Sequence, residues 1–185
     1  MWPNCPDKLF QFHHQPLNYY ASFAPGTTQR AEHLRDEVEF IDRAETGTLP
    51  AVSFVKPVGA ENEHPGYTGE SGGSDHLVSL LKAIENGPDA DSTMVIVTYD
   101  EFGGQWDHVS PPTAPGISDV WGPGTRIPAL VVSPRLPGRF SVDHTTYDTT
   151  SVLATIERRF DLDPLTSRDA AVADLSHVFR RDRGH

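Results

Sequence analysis

Apolar positions along this chain recur with two different periods, and the periods predict its elements. Between Thr28 and Ala44, Leu34, Val38 and Ile41 repeat at helical spacing. Thr27 or Thr28 is placed to cap that helix and Gly47 to stop it. Leu49 to Val55 (LPAVSFV) reads as a short buried strand closed by Pro57. Residues 56 to 74, KPVGAENEHPGYTGESGGS, form a long loop rich in turn formers, with GESGGS as its flexible end. Asp75 then caps a second helix whose apolar face is Leu77, Leu80, Leu81 and Ile84. Thr93 to Thr98 is a second strand and Ile127 to Val132 a third. Thr149 to Phe160 reads as a helix turning Val152, Leu153, Ile156 and Phe160 inward, and a last helix runs around Ala170 to Phe179. Residues 1 to 27 show no period and read as loop.

Helix, strand, helix, strand, loop, strand, helix describes one layered α/β domain over residues 1–185 with a largely parallel sheet. Nothing approaches the roughly 18 consecutive apolar residues of a membrane helix. The opening MWPNCPDKLFQFHH has no charged-then-apolar leader, so no signal peptide is expected there. Cys5 is the single cysteine, which excludes an intrachain disulfide and a thiolate metal cage. This fits a reducing cytosol and equally the mature form of an exported protein, so localisation stays open. A formal charge of −11 speaks against nucleic acid or an anionic membrane as a bulk partner. A small anionic substrate remains compatible if metal, His or Arg supplies positive charge locally.

The second strand ends on Asp100 and Glu101, followed by Gly103-Gly104 (TYDEFGG). In open α/β sheets ligands bind beyond the carboxyl ends of strands, and paired carboxylates there are oxygen ligands for a divalent cation. A solvated turn is the ordinary reading of an Asp-Glu pair. Position at the end of a buried strand, before glycines that let backbone approach a ligand, favours the metal. Histidines add a second signal. His13 and His14 are adjacent, His64 precedes Pro65, and His108 and His144 each follow an aspartate that could orient the ring. His33, His76 and His177 fall in or beside helices and read as surface or satisfied core residues. GESGGS lacks the lysine of a phosphate loop, no G-x-S-x-G elbow is present, and His13-His14 lacks the spacing of a zinc protease.

Together these segments resemble a known group. TYDEFGGQWDHVSPP is similar to the TYDExGGxxDHVxPP signature of the bacterial phosphoesterase family that unites acid phosphatases with phosphatidylcholine-type phospholipases C. FQFHHQPLNYYASF, LPAVSFVKP, Glu63 to Pro65, GPGTRIPALVVSP and VDHTTYDTTSVLATIERRF resemble further segments of it, over nearly the whole chain. The resemblance implies an alkaline-phosphatase-like α/β/α sandwich and metal-dependent hydrolysis of phosphoesters. Carried over residue by residue, Asp100 and Glu101 match the metal-binding pair. His14 and His64 match histidines that hold the phosphoryl group or assist the leaving group, with His13 beside them. His108 and His144 match motif positions as well.

Nothing in the chain matches the Glu-Asn metal pair or the Ser or Thr nucleophile that the family carries in its N-terminal half. The chain therefore reads as the C-terminal half, with an incomplete sheet and a missing N-terminal half as a partner. Two functions follow: a phosphoesterase, with a modest lean to a phosphatase, or a non-catalytic remnant that binds metal or phosphate or pairs with a separate N-terminal chain. If the family site forms, His14 and His64 should lie within one phosphate's reach of Asp100, about 5 to 8 Å.

Overall fold

In the computed structural model the described residues are 10–113, 120–138 and 140–179. The first nine residues of the expected N-terminal loop, Cys5 among them, lie outside this set, as does the RRDRGH end. The chain divides into two compact units, Met1–Thr93 and Met94–His185. Helices accompany one small sheet, a mixed α/β content.

The first unit begins with short 3-10 turns at Phe12–His14, Pro16–Tyr19 and Ala21–Phe23. Where one helix is expected after Thr27 there are two, α1 (Thr28–His33) and α2 (Glu37–Thr46). Thr27 caps α1, its side chain accepting from Arg30 N at 3.2 Å. The break falls at Leu34–Asp36: Asp36 has the extended backbone of an N-cap, and Asp prefers that place to a helix interior. Gly47 ends α2 with φ 69°, a left-handed conformation that costs glycine nothing. Val38 is 72% exposed; the inward side of α2 instead holds Glu37, Ile41 and the buried Ala44.

The expected strand over residues 49 to 55 does not form. The segment bends at residues 51 and 52, no strand among the described residues pairs with it, and Phe54 is 79% exposed. Its β-branched composition is real, but a strand is stable only with a hydrogen-bonded neighbour. The second long helix, α3 (Glu70–Glu85), starts well before Asp75, so GESGGS is its first turns rather than a flexible loop. Glycine disfavours a helix, yet here it makes room. A Cβ on Gly73 would lie 2.1 Å from Cγ of Glu63, whose side chain folds over that turn. Buried Ala44, Leu80 and Ala83 form the small core between α2 and α3.

In the second unit, β1 (Val95–Thr98) pairs with β2 (Ala129–Val132) in the register Val95↔Val132 to Thr98↔Ala129. The pairing is antiparallel, which corrects the expectation of a largely parallel sheet. Parallel neighbours need a crossover that carries the chain back to the end where the first strand began, whereas here the chain leaves β1 at Thr98 and enters β2 beside it at Ala129, at the same end of the ribbon. Helix α4 (Thr150–Phe160) matches its predicted bounds closely. Asp148 accepts from Thr150 N at 2.8 Å and Ser151 Oγ accepts from Asp148 N at 3.1 Å, which together fix its start.

The buried stripe of α4 is Ser151, Ala154 and Glu157. Val152, Leu153 and Ile156 are half-buried and Phe160 is exposed, so the apolar face expected to point inward is only partly covered. The expected last helix is two short elements: α5 (Ser167–Ala171), with a capping box between Thr166 and Asp169, and a 3-10 turn at Leu175–Phe179. Buried Glu157 accepts from Leu165 N at 3.3 Å. Arg158 pairs with Asp174 at 2.9 Å and so ties α4 to the closing turn.

Candidate functional site

The strand-end loop of the second unit is built as a tight turn. After β1 the chain passes through Tyr99, and Asp100 and Glu101 emerge exposed at its carboxyl end. Glu101 Oε2 accepts from Gly103 N at 2.7 Å, and Gly103 and Gly104 both take left-handed backbone, φ 65° and 70°. A side chain at either position would be strained. The Glu101 carboxylate is thereby held at the head of a fixed turn.

Asp107 is the anchor of this loop. Its carboxylate accepts from Val109 N at 3.0 Å, from Arg126 N at 3.2 Å, from Arg126 Nε at 2.9 Å and from Arg126 Nη2 at 2.8 Å. This two-pronged guanidinium pairing joins the loop to the segment that enters β2. The Arg126 side chain, followed by the Val109 N–H, holds the Asp107 carboxyl well below the usual carboxylate range. Asp107 is thus committed to Arg126 rather than to orienting His108, whose exposed ring instead meets Trp106 edge-on, centroids 5.5 Å apart.

The second Asp-His step behaves alike. Asp143 accepts from Thr145 N and Oγ1 at 2.9 and 2.8 Å and from Tyr147 Oη at 2.5 Å. Burial pushes the Asp143 carboxyl up, and the hydrogen bonds from Tyr147 and Thr145 more than offset it, leaving it lowered. The same burial and the Asp143 partner push the Tyr147 phenol up to about 12. His144 is exposed.

The other candidate histidines belong to the first unit. His13 and His14 share the Phe12–His14 turn with their rings edge-to-face, centroids 4.6 Å apart. His64 is held from three sides. Its backbone N–H donates to Asn62 Oδ1 at 2.9 Å, its Nδ1 lies 2.8 Å from Pro65 O, and its ring stacks on Tyr67 at 4.5 Å. A carbonyl only accepts, so Nδ1 carries the hydrogen and Nε2 is left as the acceptor nitrogen. Glu63, one residue earlier, has φ 60°, a left-handed value uncommon outside glycine.

One constellation escaped the sequence reading. His76, expected to be a bland helical residue, turns its ring between two carboxylates. Nε2 lies 3.0 Å from Glu37 Oε2 and Nδ1 lies 3.5 Å from Glu61 Oε2. Among the described residues these three are the grouping with metal-ligand geometry, and Asp100 and Glu101 are not part of it. A signal was present. His76 shares a helical stripe with Gly73, Leu80 and Ala83, the buried side of α3, and an imidazole on such a stripe needs polar partners.

Comparison with known proteins gives this arrangement its lineage. Residues 1–163 match the model of the Phosphoesterase family. The chain belongs to that family. It is 35% identical to phospholipase C B of Mycobacterium tuberculosis, covering 77% of this chain and 32% of the relative. It is 38% identical to non-hemolytic phospholipase C of Burkholderia pseudomallei over 62% of this chain and 19% of that protein. Non-specific phospholipase C6 of Arabidopsis thaliana is 27% identical over 95% of this chain and 37% of its own length. The chain thus spans about a third or less of these relatives. No helix among the described residues is long and apolar enough to cross a membrane.

Proposed function

We propose that this chain is the metal- and phosphate-binding part of a phosphoesterase that hydrolyses phosphoric ester bonds, of phospholipase C or acid phosphatase type. The observation that supports the reading is the Asp100-Glu101 pair just beyond β1, with Glu101 tied to the Gly103-Gly104 turn, in a chain of the Phosphoesterase family. Phospholipases C among the relatives support the reaction class. The complete domain would be an alkaline-phosphatase-like α/β/α sandwich.

Exposed carboxylate oxygens suit a divalent cation, so Asp100 and Glu101 are the residues that would hold it. Such an ion, when bound, activates a hydroxyl nucleophile and neutralises phosphoryl oxygens. Arg126, through Asp107, keeps the loop closed around that place. His64, fixed at Nδ1 by Pro65 O, presents Nε2 to take or give a proton at the leaving oxygen. His14, with His13 beside it, would donate to phosphoryl oxygens. The histidines belong to the first unit and the carboxylate pair to the second.

A second reading keeps the binding and drops the turnover. Nothing in the 185 residues matches the family's nucleophile, which favours a module that binds metal or phosphate, or that pairs with a separate N-terminal chain. Calcium titration and hydrolysis of p-nitrophenyl phosphate and phosphatidylcholine separate the two. Calcium binding that is lost in Asp100→Asn is expected on both readings, with turnover only on the first. Equal calcium affinity in wild type and Asp100→Asn would refute the metal assignment.

A further inference from the structure

We propose that Glu37, Glu61 and His76 form a second metal site, one that takes a divalent transition ion of the zinc type. It would fasten the loop bearing His64 to helices α2 and α3. The site does not depend on the reading of Asp100 and Glu101.

Three separate elements deliver the ligands. Glu37 is the first residue of α2, His76 lies inside α3, and Glu61 closes the Val58–Glu61 turn, just ahead of Asn62, Glu63 and His64. One ligand atom from each falls within 4.8 Å of the other two. An ion about 2.0–2.2 Å from imidazole nitrogen and carboxylate oxygen needs its ligands about 3.3–3.6 Å apart. An ion bonds one ring nitrogen only, so one of the 3.0 and 3.5 Å contacts becomes a ligand pair, and the carboxylate facing the other nitrogen must rotate in from within the 4.8 Å spread of the three ligand atoms.

The chemistry of the ring asks for a cation. Neutral imidazole has one N–H and one lone pair, so it can satisfy only one of two carboxylates. Here both nitrogens face carboxylate oxygens, and one of those contacts sets a lone pair against negative charge. Among the described residues no lysine or arginine pairs with Glu37 or Glu61. A doubly protonated ring would still leave the group at net −1. A divalent ion on a neutral ring brings it to zero.

Mixed nitrogen and oxygen donors select zinc-like ions over calcium or magnesium, which take oxygen alone. His76 is 11% exposed at its side chain whereas Glu61 is 41% exposed, so the site is backed by protein and open on one side. An ion can enter there, and water can fill a fourth position.

Cobalt as a spectroscopic probe, followed by zinc competition, tests the proposal on the whole chain. Wild type should develop the visible absorption of tetrahedral cobalt, and zinc should abolish it. The same spectrum should survive in the double variant Asp100→Asn/Glu101→Gln. It should disappear in His76→Gln, and in Glu61→Gln the cobalt affinity should fall by at least about tenfold, the scale on which metal sites respond to loss of one supporting group. Glu61 is partly exposed, so its variant decides the matter if His76→Gln fails to fold. No absorption in wild type would overturn the site. So would a spectrum retained at unchanged affinity in Glu61→Gln, or one lost only in the Asp100/Glu101 variant, which would put the ion at the strand end.

Discussion

Replacing Gly87 by alanine adds one methyl group where the return turn after α3 meets the backbone of α2. A Cβ there would lie 2.0 Å from the carbonyl oxygen of Ala44, 3.0 Å from its carbonyl carbon and 3.3 Å from Ile84 O. Non-bonded heavy atoms rest at about 3.5–4.0 Å, so α2 must retreat by roughly 1.5 Å. Backbone has no rotamer by which to escape, and Ala44 is itself buried at 3% exposure. Overpacking of this kind costs about 1–3 kcal/mol. The reduced freedom of the unfolded chain returns about 0.4–1 kcal/mol. For a chain of this size each kcal/mol moves the melting point by about 2–4 °C. Gly87→Ala should therefore melt below wild type, by up to about 10 °C, when followed by far-ultraviolet circular dichroism. Gly124→Ala is the control, because its Cβ would meet nothing within 4 Å, and it should melt at or slightly above wild type. A Gly87→Ala protein as stable as the Gly124→Ala control would refute the close approach of α2 to that turn.

Two further predictions concern pH. The Asp107 carboxyl is depressed by Arg126 and by the Val109 N–H, so its contribution to stability is complete above its unfolded value near 3.8 and is lost as pH falls below it. Urea midpoints of wild type and Arg126→Gln should differ at pH 7 and converge below about pH 4; an equal gap at both ends argues that the pairing is not ionic. Tyr147 moves the other way. Its phenol is raised to about 12 by burial and by Asp143, so its contribution is complete below its unfolded value of 10 and fades as pH rises towards 12. Tyr147→Phe should lower the melting point at neutral pH, with the deficit closing in alkali and one late-ionising tyrosine missing from the ultraviolet titration. A full set of tyrosines ionising together in wild type would contradict this.

The elements legible in the sequence were those whose signals are local. Thr27 and Gly47 mark a helix start and a helix end by their own side-chain and backbone chemistry, and α4 announces itself by its period. TYDEFGG placed two carboxylates at a strand end because strand propensity and glycine both act within a few residues. What escaped depended on distant partners. LPAVSFV has strand composition, but composition cannot supply the neighbour that a ladder requires. GESGGS looked like a loop because glycine is a poor helix former, and the reason for Gly73 is the side chain of Glu63 folded across it. His76 looked bland because Glu37, 39 positions away, and Glu61 reach it only once the chain has folded.

The Asp107–Arg126 pairing also bears on the order in which the second unit assembles. The antiparallel ribbon must draw together residues far apart in the chain: Thr98 Oγ1 donates to Pro128 O across 30 positions. The guanidinium pairing spans 19 positions within that same stretch. Once it has formed, only the short arms on either side remain to be gathered. Closure probability falls as about the 3/2 power of the span, so the shortcut favours ribbon formation by roughly four- to fivefold. The loop that presents Asp100 and Glu101 lies on one of those arms.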